Sequence, residues 1–193
     1  DANDSSEYTL TKELTSKFNH KEAEIIVRVI GHFFKEIAYI YNDINHITKI
    51  LKKIGVISGY RAQNQKIHQE LLKYFDENIF NNANIPKFSE DEKILIFDSI
   101  IIDTVDRFQG QERELIIYCF VDSNPQHEIE KLNMELRRLN VAISRAKKKV
   151  IFIGNSPTLI EINQNTDEKT KFVKIAPNFY CNFDRQNTGY FIL

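Results

Sequence analysis

Two cysteines in 193 residues leave little room for disulfide chemistry. Cys119 and Cys181 lie far apart, which argues for a reducing, cytoplasmic compartment rather than a disulfide framework. The five histidines show no metal-ligand spacing with each other or with cysteine, so no zinc site is expected. No apolar run approaches the roughly 20 residues of a membrane span. No secretory segment opens the sequence either, and no membrane partner is expected. Charge of one sign is also missing: 26 Lys and Arg stand against 27 Asp and Glu, for a net charge of −1. A uniformly basic surface is thereby excluded, and any nucleic-acid contact must come from a local patch. The six glycines never fall into G-x-x-x-x-G-K-[ST], so a phosphate loop of the usual kind is excluded too.

What is present suits one core. With 42% hydrophobic residues, 193 residues build a single domain, here expected over residues 19–193 behind a loose arm at 1–18. The sequence opens on Asp1 within a polar stretch and reads as a piece of a longer polypeptide. Asn19 with Glu22 three residues on is a capping-box variant, and Ile26, Ile30, Phe33 and Ile37 follow at helical spacing. Further helices are expected over 44–53, 61–75 and 131–146, with strands at 54–58, 99–105, 115–121 and 149–154. Residues 76–93 read as a loop. Beyond Asn155 the pattern weakens to a short helix near 156–162 and a strand at FVKIA. Continuous apolar strands separated by helices indicate an α/β fold, a doubly wound parallel sheet.

Three stretches carry candidate chemistry, and ligands of open α/β sheets sit at the carboxyl ends of strands. SGYRAQ, DRFQGQE and the closing GN (154–155) all follow expected strands. In the second, Gly110 lets a backbone approach a phosphate, and Glu112 can accept from a ribose hydroxyl. An ordinary glycine turn with charged neighbours explains the same residues. In the helix before the last strand, Leu132, Leu136, Leu139 and Ile143 form one stripe. Arg138, Ala142 and Arg145 fall opposite, two permanently charged forks suited to phosphate. A solvated basic face, with cations favoured at a helix C-terminus, remains the simpler reading of spacing alone. ILIFD and IIYCFVD end apolar runs in aspartate, but no second acid follows, and they read as strand punctuation.

Taken in order, these stretches resemble the second, C-terminal RecA-like domain of superfamily 1 helicases. The nearest branch is the 5′→3′ group that includes the nonsense-decay and replication helicases. IGVISGYRAQ (54–63) is similar to the family's fourth motif, DTVDRFQGQERELII (103–117) to its fifth and RRLNVAISRAKKKVIFIGN (137–155) to its sixth. Gly59 stands where proline is usual, and Asp122 where a neutral or basic residue is common. The resemblance implies a P-loop NTPase-like fold without its own phosphate loop, completing an ATP site held mainly, with Mg2+, by a first RecA-like domain of the same polypeptide. It implies that Arg145 is the catalytic arginine finger and that Gly110, Glu112 and Arg138 are nucleotide-binding. Ser58 and Thr104 would face single-stranded DNA or RNA, with Gln63 bracing the fourth motif. Two other readings stay open: a helicase-like module that binds nucleic acid or protein without catalysis, and a translocase that does not unwind.

Overall fold

The computed structural model describes residues 7–9, 16–122, 136–155, 181–183 and 189–192. A two-stranded antiparallel ribbon, β1 (Glu7–Thr9) with β2 (Lys17–Asn19), runs into the first helix. Asn19 caps that helix, α1 (His20–Ile40), its side chain accepting from the Glu22 amide. Satisfying one orphan helix donor in this way is typical of an Asn cap. A second cap, Asp43, opens α2 (Ile44–Leu51) by accepting from the amides of Asn45 and His46.

The four apolar runs become parallel strands because a crossover joins each to the next. β3 (Ile54–Ser58) leads through α3 (Arg61–Asn78) and α4 (Glu90–Ser99) to β4 (Ile101–Thr104). β5 (Arg113–Cys119) leads through α5 (Leu136–Ser144) to β6 (Ala146–Ile153). Spatial order is β4–β3–β5–β6, all parallel. β7 (Cys181–Phe183) and β8 (Gly189–Ile192) extend the sheet antiparallel, β8 pairing with Ile151–Ile153 of β6. The sheet is therefore parallel in its four-strand centre and mixed at one edge. The helix expected near 156–162 and the strand at FVKIA lie outside the described residues.

Strand alternation sorts the core into two layers, one on each face. Val56, Ile117, Cys119, Ile151 and Ile153 pack with Ile26, Ile30, Phe34, Ile67, Leu71 and Phe75 of α1 and α3. Ile57, Ile116, Tyr118, Val150 and Phe152 pack with Phe108 and with Leu139 and Ala142 of α5. Among the described residues no helix is long and apolar enough to cross a membrane.

Two sequence expectations are corrected here. The stretch 76–93 is not all loop: α3 continues to Asn78, and α4 begins at Glu90, so ILIFD is helical rather than strand-like. Ser89 and Glu92 close a full capping box, and three acids in the first turn favour the helix dipole. Ala142 does not share an open face with the arginines. It is 1% exposed and packed in the core, because Leu139 and Ala142, three residues apart, rotate the apolar arc of α5.

Gly55 explains how the second layer closes. A Cβ there would lie 2.5 Å from the Phe108 ring and 3.0 Å from Ile116 Cδ1, so only glycine lets Phe108 lie across β3. Burying that ring contributes about 2–3 kcal/mol. Gly55→Ala is expected to cost about 1–3 kcal/mol by overpacking and to loosen the turn that Phe108 anchors. Urea unfolding and amide exchange across 106–112 check this. Unchanged stability and protection would remove Phe108 from that position.

Candidate functional site

A parallel strand must be entered from its amino end, and this rule gathers the site. After β4 the chain turns through Val105–Gln111, with Phe108 N–H donating to Thr104 O at 3.0 Å and Gln111 N–H to Phe108 O at 3.0 Å. It then reaches the amino end of β5 carrying Gly110 and Glu112. Gly110 has φ +82°, the left-handed region that favours glycine, and nothing lies within 4 Å of where its Cβ would be. Gly110 thus combines a backbone that needs glycine with open space beside it.

Arg145 arrives at the same end. It is the single residue between α5 and β6, and its carbonyl accepts from Arg113 N–H at 2.8 Å. Ala146, next in the chain, is in register with Arg113. Gly110, Glu112 and Arg145 therefore converge at the amino ends of β5 and β6. The expectation that DRFQGQE lies at a carboxyl strand end holds only for its first residues, since the segment crosses the sheet to re-enter at β5.

The Arg145 guanidinium folds back on its own helix. Nε donates to Val141 O at 3.2 Å, and Nη2 donates to Ser144 Oγ at 3.0 Å. Among the described residues it has no carboxylate partner. This is a helix C-cap by a cation, a contact of modest strength that leaves the charge free to be recruited elsewhere. Beside it, Lys147 Nζ pairs with Glu112 Oε2 at 3.2 Å. Glu114 lies between Lys148 at 3.0 Å and Lys53 at 3.1 Å, and these lysines, Lys148 first, hold its carboxyl below the usual range. Two of the three lysines at 147–149 are thus matched by acids, Glu112 just before β5 and Glu114 within it.

The other sequence candidates lie elsewhere. Arg138 lies on α5, seven residues and about 10 Å of helix rise from Arg145. Its Nη2 pairs with Asp106 Oδ2 at 3.3 Å, tying α5 to the turn after β4. Thr104 ends β4, half-buried, with no hydrogen bond to its hydroxyl among the described residues. Ser58 is fully buried. Its hydroxyl lies 2.7 Å from Asn64 Oδ1 and 2.9 Å from Tyr60 O, and accepts from Tyr60 N–H at 3.2 Å. Ser58 shapes the Gly59–Arg61 turn rather than projecting from it. Asp122, buried, accepts from the Tyr60 hydroxyl at 3.3 Å, so this departure from the family pattern holds the same turn from the other side.

Sequence reasoning missed the buried polar knot beneath that edge. Glu22, 4% exposed, accepts from Val121 N–H and from the Cys119 thiol, each at 2.9 Å. The Asn19 side-chain amide donates to Val121 O at 3.2 Å and Glu22 Oε1 at 3.3 Å. Gln63 Oε1 accepts from Asn19 N–H at 2.6 Å, and its Nε2 donates to Asn19 O at 3.2 Å. Val121, a β-branched residue, is held at φ +71°. Burial pushes the Cys119 thiol pKa well up, and the Glu22 carboxylate adds to the shift. The visible signal was the Asn19/Glu22 pair, but Glu22 reaches the exit of β5 instead of the Asn19 backbone.

Comparison with known proteins matches residues 1–157 to the model of a family described as an AAA domain. The helicase sen1 of Schizosaccharomyces pombe is 30% identical over 149 residues, 77% of this chain and 7% of that protein. The DNA replication ATP-dependent helicase/nuclease DNA2 of Xenopus laevis is 35% identical over 121 residues, 59% of this chain and 10% of that protein. The helicase SEN1 of Saccharomyces cerevisiae is 30% identical over 141 residues, 73% of this chain and 5% of that protein. The aligned stretch is a tenth or less of each of these proteins. A parallel four-strand centre covered on both faces, the family match over most of the chain and these relatives lead to one conclusion: the chain belongs to the AAA domain family as a RecA-like, helicase-like domain of the superfamily 1 type.

Proposed function

We propose that this chain is the second, C-terminal RecA-like motor domain of an ATP-dependent superfamily 1 helicase, and that Arg145 is its arginine finger. The observation that carries the reading is the convergence of Gly110, Glu112 and Arg145 at one edge, joined by the Arg113–Arg145 backbone hydrogen bond. Open space beside Gly110 suits close approach of a phosphate, and Glu112 has one carboxylate oxygen paired with Lys147 and can offer the other to a ribose hydroxyl. Arg145 has only helix-capping contacts to give up. Mg2+ and most of the triphosphate are assigned in this reading to a first RecA-like domain, since the phosphate-loop pattern does not occur in this sequence. ATP then lies between the domains, and closure brings the guanidinium to the charge that develops on the transferring phosphoryl group.

At the opposite edge, the proposal assigns a single strand of DNA or RNA to the turns after β3 and β4. Thr104 offers a hydroxyl there, and Ser58 positions the Gly59–Arg61 turn. Arg138 then supports the turn between the two edges through Asp106 rather than touching nucleotide. Because Lys147 and Lys148 are paired and the net charge is −1, strand binding by this chain alone is expected to be weak, salt-sensitive and indifferent to base sequence. Purified on its own, the chain is expected to show no ATP turnover and only weak nucleotide affinity. Steady-state ATPase and nucleotide titration test this directly. Turnover by the pure chain would overturn the motor-domain reading, and a nanomolar, salt-insensitive strand complex would favour a dedicated binding module.

A further inference from the structure

Arg113 contacts Phe108, Gln111 and Glu112 of the turn and, through its backbone, Arg145. Its Nη1 donates to Glu112 O at 2.7 Å and its Nη2 to Gln111 Oε1 at 2.9 Å, so one guanidinium clasps two successive residues of the turn. The same group lies 5.6 Å from the Phe108 ring centroid, a cation–π contact with the side chain that anchors the turn over Gly55. Its Nε is buried without a hydrogen-bond partner. A guanidinium ordinarily fills all its donors when buried, so this arrangement sacrifices one to keep the two that hold the turn. Through its backbone, Arg113 donates to the Arg145 carbonyl at 2.8 Å.

We infer that Arg113 is a positioning residue that sets the Gly110–Glu112 turn for the nucleotide's ribose and registers that turn against Arg145. The inference rests on the nucleotide-cleft reading above. Its physical content is that Glu112 is more than half exposed and held only by an exposed lysine, so its aim depends on the turn beneath it. Surface pairs of that kind add little rigidity. A planar fork spanning Gln111 and Glu112 adds much more, and lysine cannot reproduce it.

The test uses the motor carrying both domains, with single strand at saturation, and compares ATP with 2′,3′-dideoxy-ATP. Arg113→Gln is expected to raise KM for ATP about tenfold, the worth of one carboxylate–hydroxyl hydrogen bond, while kcat stays within about twofold. The KM preference for ATP over the dideoxy analogue should shrink by a similar factor. Arg113→Lys, which keeps the charge, should recover the fold but not the ribose preference. A merely structural role moves neither the preference nor the split between KM and kcat. If Arg145→Lys abolishes turnover while Arg113→Gln and Arg113→Lys leave KM and the preference at wild-type values, this inference falls and the cleft reading stands. If Arg145→Lys turns over normally, the cleft reading itself falls. A loss confined to kcat in Arg113→Gln would also overturn a positioning role.

Discussion

Arg145→Lys is expected to lower ATP turnover of the two-domain motor by about 10³ to 10⁵, or about 4–7 kcal/mol of barrier, while ATP binding and folding survive. Lysine keeps the charge but loses the planar fork and has a shorter reach, so it cannot bridge two phosphoryl oxygens. Folding survives because the present contacts of Arg145 undemandingly suit any cation. The side chain caps the end of α5 through Val141 O and Ser144 Oγ, and an ammonium serves the same carbonyl and dipole. The strand pairing needs only its backbone, which Arg113 N–H contacts at the carbonyl.

The opposing view, a solvated basic residue at a helix end, expects a change of about 0.5 kcal/mol or less from the same substitution. Steady-state ATPase with saturating single strand, beside a thermal melt of both proteins, separates the two by several orders of magnitude. Turnover like wild type in a well-folded variant would remove Arg145 from the chemistry. In this structure the guanidinium is parked on its own helix, so on the proposed reading closure would exchange its contacts with Val141 O and Ser144 Oγ for contacts with the phosphoryl group.

Sequence pattern located the parallel strands because they are largely apolar runs, and α1, α3 and α5 carry legible helical stripes between or before them. It singled out Arg145, Gly110 and Glu112 as candidates by residue type and motif, but not by edge. Only the pairing of Arg113 with Ala146 places those residues at the amino ends of two adjacent strands. The helix α4 was legible and overlooked: Ser89 and Glu92 form a capping box, and the acids that made the segment resemble a loop are the ones that favour its first turn. Ala142 was misplaced because a small residue between two arginines suggests clearance, whereas here it allows α5 to sit close on the sheet. The pairing of Lys147 with Glu112 and Lys148 with Glu114 could not be read locally, since β5 and β6 are brought together by the fold. Glu22 is the clearest case. Its partner Val121 lies 99 residues away, and no periodicity in one chain reports a contact at that separation.

Glu22→Ala is expected to destabilise the domain by about 3–5 kcal/mol, a range set by removing a buried charged hydrogen-bond partner. Three donors converge on this carboxylate: the Val121 amide, the Cys119 thiol and the Asn19 side-chain amide. All belong to buried residues, so water cannot readily replace the lost acceptor. Val121 raises the cost further. A β-branched residue at φ +71° carries roughly 1–2 kcal/mol of strain and keeps that conformation only while its surroundings enforce it. Glu22 on its N–H and Asn19 on its carbonyl are that enforcement. With Glu22 gone, Val121 is expected to relax, Asp122 to shift with it, and the Tyr60 contact that braces the Gly59–Arg61 turn to loosen. Glu22→Gln keeps one acceptor and much of the shape, so about half the loss is expected. Glu24→Ala, on the same helix but partly exposed, is the control, at about 0.5 kcal/mol or less. Urea unfolding of the three variants gives the ranking, and at about 2–4 °C per kcal/mol the first should melt roughly 6–20 °C low. Equal stabilities for Glu22→Ala and Glu24→Ala would mean that α1 is not fastened to the β5 exit through this carboxylate.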